Sequence, residues 1–563
     1  MKFTTTLLLS AAACLCCASC VEQNMQLGSN LVPIGQTYSI HTVDIPITDV
    51  YNMMADSLSG YSNTRITIGS VRDSEYGLTT RGSAITLIPV IDKDNFDLGT
   101  NRIFKSFHFA AGKDTTNVSD PSQKDILQNI FVYELPKALD AKLDFDTNKP
   151  ILHSDKRVSR GTPVYDGKDS LAFDFSTEFG QKYLDMTAED IKDIKTFLNK
   201  FPGIYMETGN PAGEGGRINM FALQLNYSNN LACVLGNYAT LRYSAEFDGV
   251  RKDTTLHFWY GATDLFNLDS LFSTTGTGSF PQYALNVTGH TTRERAGKAT
   301  DKVFIEGGGG LKPVIGAKYL KHKVEEAIIA EGGIPNATVI NKASIVMPFE
   351  FPDDYQEMDK WPYMLSPTCR IKTDVGATFM GLSDASAENE NQGDIDRSNL
   401  QFAPDITYHM QELLKIDEKK SDNQMTKRLE SGSYDIWMLI MANETETTTS
   451  VNDSDMNDYY QYLAYQSYIN SMYGGYGGYG GYGYGGYGYG GYGGYGYGYD
   501  DYYTNYYSYM MMSQYMNQSS SSTSEKIMLD KDRYYTGYLN GPEASNGRTP
   551  FLRLTFSIPN TAE

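Results

Sequence analysis

Residues 239–261 read "ATLRYSAEFDGVRKDTTLHFWYG", two arms of alternating apolar and polar side chains on either side of Asp248 and Gly249. Alternation with a period of two puts every second residue on one face, so each arm predicts a half-buried strand and the whole predicts a hairpin with a polar connection. The same pattern recurs along the chain. "SLAFDFS" sets Leu171, Phe173 and Phe175 on one face, and "RLTFSIP" does so with Leu552, Leu554, Phe556 and Ile558. "KASIVMPFEF" and "YDIWMLIMANE" add further strands. The fold class expected is mainly β: two successive antiparallel β-sandwich-like units with a few short helices. The division is expected near Asn226 to Leu235, giving a first unit at 46–230 and a second at 231–444, completed by C-terminal strands at 525–563.

Three helices are expected. Thr187 with Asp190 forms a capping-box pattern ahead of Ile191, Ile194, Leu198 and Phe201, and Pro202-Gly203 ends that run. A second helix spans about Ala317 to Ala330, with Leu320, Val324, Ala327 and Ile328 on one side and Gly332-Gly333 beyond it. A third spans about Asp405 to Leu414. None carries the basic face of a membrane-surface helix.

Residues 445–524 differ from everything around them. They pass from "TETTTSVNDSD" into a tract, 473–499, made only of glycine and tyrosine, and leave through "MMMSQYMNQSSSSTS". The tyrosines, Tyr473, Tyr476, Tyr479, Tyr482, Tyr484, Tyr487, Tyr489, Tyr492, Tyr495, Tyr497 and Tyr499, are spaced by two or three, so no strand face or helical stripe persists. The segment is expected to be one long low-complexity, disordered loop between two strands. Two readings of the tract stand side by side: adhesive rings that stack on sugars or on one another, or a spacer in a loop that tolerates insertion.

The N-terminus, "MKFTTTLLLSAAACLCCASC", has one cation at Lys2, an apolar run and then small residues before Cys20. This predicts a lipoprotein signal peptide at 1–19, lipid on Cys20, and a tether at 20–45. Cys14, Cys16 and Cys17 are rival acceptors, but Cys20 leaves the longest apolar run upstream. Beyond the signal only Cys233 and Cys369 remain, so at most one disulfide is available. No later stretch is long and apolar enough to span a bilayer. The formal net charge of −21 argues against nucleic acid as a partner, because every phosphate would repel it.

No cofactor or metal is expected. The histidines, at 41, 108, 153, 257, 290, 322 and 409, show no ligand spacing, and His257 is expected to be structural. "FIEGGGGLK" follows a strand but lacks the Lys-Ser/Thr ending of a phosphate loop, so Gly307 to Gly310 read as a turn. "SAENENQGDID" is a solvated acidic loop, with Asn399 where a calcium loop needs a glutamate.

Six blocks in order, "LGSNLVP" (27–33), "IGSVRDSEYGLTTRGSAITLIP" (68–89), "RGTPVYDGKDSLAFDFS" (160–176), "FPGIYMET" (201–208), "VINKASIVMPFEF" (339–351) and "TPFLRLTFSIP" (549–559), resemble a Bacteroidota lipoprotein family known only as a domain of unknown function. The resemblance implies a β-rich outer-membrane or surface lipoprotein and carries over no catalytic or binding residue. In exported proteins of that group, Asp followed by Ser or Thr and then an aliphatic residue or Thr marks O-glycan acceptors. Here the pattern falls on Ser57, Thr115, Thr254 and Ser270, and also on Ser170 beside an expected strand. The function expected is a non-enzymatic binding or assembly scaffold at the outer membrane or cell surface, with another envelope protein or a glycan as partner. The alternative is a surface glycan hydrolase whose two catalytic carboxylates come from separate loops.

Overall fold

A computed structural model describes residues 37–560 except 57, 63, 92–95, 115–125, 140–145, 224–237, 262–283, 374–375, 383, 385–390 and 449–521. The fold is mainly β, and among the described residues every paired strand runs antiparallel to its neighbour. The hairpin expected at 239–261 is there: Ala239–Phe247 pairs with Val250–Gly261 in continuous register, ending at Phe247 opposite Val250. Asp248 (φ 51°) and Gly249 (φ 75°) both take the left-handed conformation, the geometry whose twist matches that of the flanking strands.

One sandwich-like unit is organised by the strand Gly77–Pro89. Its first half pairs with Arg65–Asp73 and with Ala284–His290, and its second half with Ile204–Thr208 and Val250–Gly261. A strand with neighbours on both edges and packing on both faces has no solvated side, and Thr79 and the residues from Arg81 to Pro89 are accordingly buried. The resulting twelve-stranded sheet curls around an aromatic core in which Phe107 touches the rings of Phe175, Tyr183 and Phe258.

The other unit packs a five-stranded sheet against a seven-stranded one. Ile345, Leu552, Leu554 and Phe556 from the first meet Ile315, Leu365, Ile436 and Met438 from the second, with Leu320, Val324 and Ile328 of the helix Ala317–Ala330 closing the side. Cys369 is buried in this core; Cys233 lies outside the described residues.

Two expected boundaries change. The first core runs on to Ala284, past the division expected at 230/231, because Ala239–Phe247, Val250–Gly261 and Ala284–His290 all join its sheet. The second core takes in Ile45, Ile47 and Val50 as well as residues from Ala299 to Ile558, so the first unit is inserted within the second. Part of the expected tether is also a strand: Tyr38–Pro46 pairs along its full length with Phe551–Pro559.

Of the helices, Ala317–Ala330 has the bounds expected, and the third forms as Thr407–Leu414. The first divides in two. The Thr187–Asp190 capping box starts a short 3-10 turn, Ala188–Ile191, and Asp193 then accepts from the Thr196 N–H to begin a new helix, Ile194–Lys200. Thr177–Leu184 and Gln424–Glu430 are helices that the pattern did not announce.

These placements separate two kinds of cost. Gly249→Ala meets nothing within 4 Å and should cost about 1–2 kcal/mol through backbone conformation alone. Phe107→Ala, which empties a fully buried aromatic site, should cost about 3–5 kcal/mol. Urea denaturation of the full chain reads both, and equal losses would contradict this packing.

Candidate functional site: a buried ionic joint and the ribbon that leaves it

A cluster of buried ionisable side chains gathers where the two units meet. The joint starts at Asp530, one residue past the strand Ser522–Leu529. Its Oδ1 accepts the N–H groups of Asp532 and Arg533 at 3.1 Å each, and its Oδ2 accepts from Arg533 Nη1 at 2.6 Å and from the Tyr535 hydroxyl at 2.9 Å. Burial opposes ionisation of Asp530, yet Arg533 and the turn N–H groups outweigh it and hold the carboxyl below its ordinary pKa.

The next two residues reach across into the first unit. Lys531 Nζ donates to the carbonyls of Ser59 (2.9 Å) and Tyr61. Asp532 accepts from Asn286 Nδ2 at 3.1 Å and lies 3.9 Å from Arg65, whose Nε donates to Asp114 at 2.8 Å. Burial raises the Asp532 pKa, with Lys531 and Arg65 pulling it back.

A second part of the joint surrounds the four glycines. Gly307 to Gly310 turn the chain from Lys302–Glu306 into Leu311–Ile315, with Gly308 at φ 58°. Lys312 reaches back into its own turn and donates to the carbonyls of Glu306, Gly308 (2.8 Å) and Gly310 (3.3 Å). A Cβ on Gly308 would sit 2.6 Å from the Arg81 guanidinium, so the close approach requires glycine. The turn expected from "FIEGGGGLK" is thus a cradle for an internal ammonium, and Lys312 is the residue that occupies it.

Glu306 accepts from the Thr292 hydroxyl at 2.7 Å and from the Leu311 N–H at 2.9 Å, and His290 Nδ1 lies 3.6 Å away. Burial works against the Glu306 charge, but these partners keep its pKa below the ordinary value, while burial depresses His290. Burial pushes Lys312 down to about 7 and Arg81 to about 10, each drawn partly back by Glu306 and the nearby aspartates. The guanidinium nitrogens of Arg81 have no hydrogen-bond partner among the described residues. Arg81 and His290 come from the first unit and Glu306 and Lys312 from the second, so the four groups meet at the joint.

The segment that ends at Asp530 arrives from a ribbon. Ile436–Thr448 lies within the seven-stranded sheet as far as Met441, where Met364 ends the pairing on one side. From Ala442 to Thr448 its partner is Ser522–Met528, a two-stranded ribbon roughly 20 Å long at about 3.3 Å per residue. The register sets Glu444 opposite Lys526 and Glu446 opposite Ser524. The expected excursion therefore begins and ends on adjacent strands. Its tyrosines, Tyr473 to Tyr499, lie outside the described residues, as do Cys20, Ser57, Thr115 and Ser270.

Of the remaining expected acceptors, Thr254 is half-buried on the core side of its sheet, opposite buried Tyr243, whereas Ser170 is exposed at the start of Ser170–Asp174. His257 is structural in its contacts, bonding Thr240 at 3.2 Å, and burial lowers its pKa. One trio among the described residues could converge on a cation, His322, Glu325 and Glu418. Lys321 already bridges its carboxylates, at 2.5 Å from Glu325 and 2.9 Å from Glu418, so a tethered ammonium supplies the charge a metal would bring. The charged joint had only a faint signal in the sequence: lysine and arginine inside apolar strands, as in "TTRGSAITLIP" and "GLKPVI".

Comparison with protein-family models, with curated proteins and with solved structures finds no match to this chain.

Removing one buried partner leaves the other uncompensated. Asp530→Asn should therefore cost about 3–5 kcal/mol by urea denaturation at neutral pH. Asp253→Asn, in the exposed Lys105–Asp253 pair, should cost under about 1 kcal/mol. Acid sensitivity has a separate source in the second core. His409 is fully buried, its Nε2–H donates to the Tyr434 carbonyl at 3.2 Å, and burial pushes its pKa down to about 4 from the ordinary 6.5. Between those values the unfolded chain binds a proton that the folded chain refuses, so stability falls by about 3 kcal/mol as pH drops from 6.5 through 4. His409→Gln should flatten that slope in a urea titration repeated across the window.

Proposed function

We propose that this chain is a non-enzymatic binding or assembly scaffold of the cell envelope, held at the outer membrane by lipid on Cys20. The observation that carries the proposal is the use to which the buried charges are put. Arg65, Asp114, Glu306, Lys312, Asp530 and Arg533 are engaged within their own units, and Lys531 and Asp532 carry the engagement across to Ser59, Tyr61, Asn286 and Arg65. A hydrolase needs its perturbed carboxylates open to substrate, whereas Glu306, Asp530 and Asp532 are closed within the joint, beside the root of the ribbon. No helix among the described residues is long and apolar enough to cross a membrane, and lipid on Cys20 supplies the attachment in this reading. The resemblance to envelope lipoproteins points the same way.

Cross-linking the intact protein in its own membrane, followed by purification, should recover one envelope protein or glycan in constant proportion to the chain. Release of reducing sugar from surface glycan by the purified protein would overturn the scaffold reading in favour of a hydrolase. Deleting 473–499 should leave the urea midpoint and the cross-linked partner unchanged, because the ribbon strands pair without that tract. Loss of the partner on deletion would transfer the binding role to the tyrosines.

A further inference from the structure

On the outer face of the five-stranded sheet, exposed apolar residues sit at the end where Tyr38–Pro46 begins, and polar pairs follow them. At the end where the chain enters, Tyr38 is 56% exposed and Ile40 71%, although both are large and apolar. The register places Ile40 beside Ser557, and Ser557 beside Val339, so Ile40 and Val339 (49% exposed) share the outer face two strands apart. Further along the same face, Thr42 bonds Thr555, and Asp44 makes a two-pronged pair with Arg553.

The helix Ala317–Ala330 ends beside this tip. Glu331 bonds His41 at 2.9 Å, and Gly333 packs against Ile558, the partner of Ser39. The helix end and the turn after it leave Ile329 and Ile334 61% and 62% exposed. Tyr38, Ile40 and Val339 on the outer face, and Ile329 and Ile334 at the helix end, thus leave five large apolar side chains exposed at this tip of a chain whose net charge is −21. An exposed apolar patch ringed by polar pairs is a contact surface, and its occupant has to be uncharged at the point of contact.

The direction of the chain identifies that occupant. The strand starts at Tyr38, and fully extended geometry puts Cys20 within roughly 60 Å of it. On the outer face of that strand the two residues nearest Cys20 in sequence, Tyr38 and Ile40, are apolar and exposed, and the next two, Thr42 and Asp44, are polar. Tyrosine with aliphatic residues is also the composition that settles at a bilayer's headgroup boundary.

We propose that this tip rests in the headgroup region of the bilayer that holds the lipidated Cys20, so that the anchor and the sheet end together fix the scaffold's orientation. The proposal rests on the lipid-anchor reading. The five side chains enter the interface, and the Asp44–Arg553 pair remains on the aqueous side.

The test uses the full mature lipoprotein in phosphatidylcholine vesicles with brominated acyl chains. Intact mass of the mature chain first reads acylation at Cys20. Ile40→Trp, or Val339→Trp if the first variant folds poorly, adds an emission on the tip, while Val250→Trp adds one at the exposed hairpin of the first unit. The wild-type emission of Trp259, Trp361 and Trp437, all buried, is subtracted. Most of the added emission at the tip should be lost to bromine, and that at Val250→Trp should be kept. An acylated protein with no quenching at the tip, or equal quenching at both sites, would overturn the docked tip while leaving the anchor intact. A chain without lipid on Cys20 would overturn the anchor and the proposal with it. A dimer in detergent that Ile40→Asp dissociates, with no quenching in vesicles, would assign the tip to a second copy.

Discussion

The structure depends on one buried carboxylate, Asp530. An ionised side chain with no exposed surface costs several kcal/mol in desolvation unless its lone pairs are met, and four donors within the next five residues meet them. The turn so formed has no freedom to choose where Lys531 and Asp532 point. They enter the other unit, where Ser59 and Tyr61 offer carbonyls and Asn286 offers an amide. A local electrostatic requirement in the second unit is thereby converted into a long-range constraint on the first.

The strand Gly77–Pro89 receives that constraint. It pairs with Ala284–His290, which carries Asn286 and His290 into the joint, and it brings Arg81 against the glycine turn. The four glycines serve two ends at once: they let the backbone approach Arg81, and they turn three carbonyls toward Lys312. A side chain at Gly308 would therefore disturb both a packing contact and a charge site. The joint is polar because the sheets on either side already bury their apolar faces in cores of their own.

What the sequence disclosed follows the range of the interaction. Alternation announced the hairpin at 239–261 and the strands around Leu171 and Leu552, since a strand's two faces are written two residues apart. The helix Ala317–Ala330 was legible to the residue because its apolar stripe and its Gly332-Gly333 stop are local. The boundary between units was not, because Ala284–His290 returns to a strand some two hundred residues earlier and nothing near it says so. The joint was hidden for a related reason. "DKDRYY" has the polarity of a surface turn, and only the partners at Ser59, Arg65 and Asn286 make it interior.

The same geometry accounts for how the Tyr/Gly tract is carried. The cost of closing a loop grows with the logarithm of its length, about 0.6 kcal/mol for each doubling, once its ends are held together. Here the ends are held before the tract begins: Thr448 and Ser522 face each other across a ladder, and that ladder continues to Leu529 and into the Asp530 turn. Lengthening or shortening the run of tyrosine and glycine therefore changes a small entropic quantity and leaves the ladder and the joint unaltered. The ladder that brings Thr448 and Ser522 together is thus continuous with the Asp530 turn, which sends Lys531 and Asp532 into the other unit.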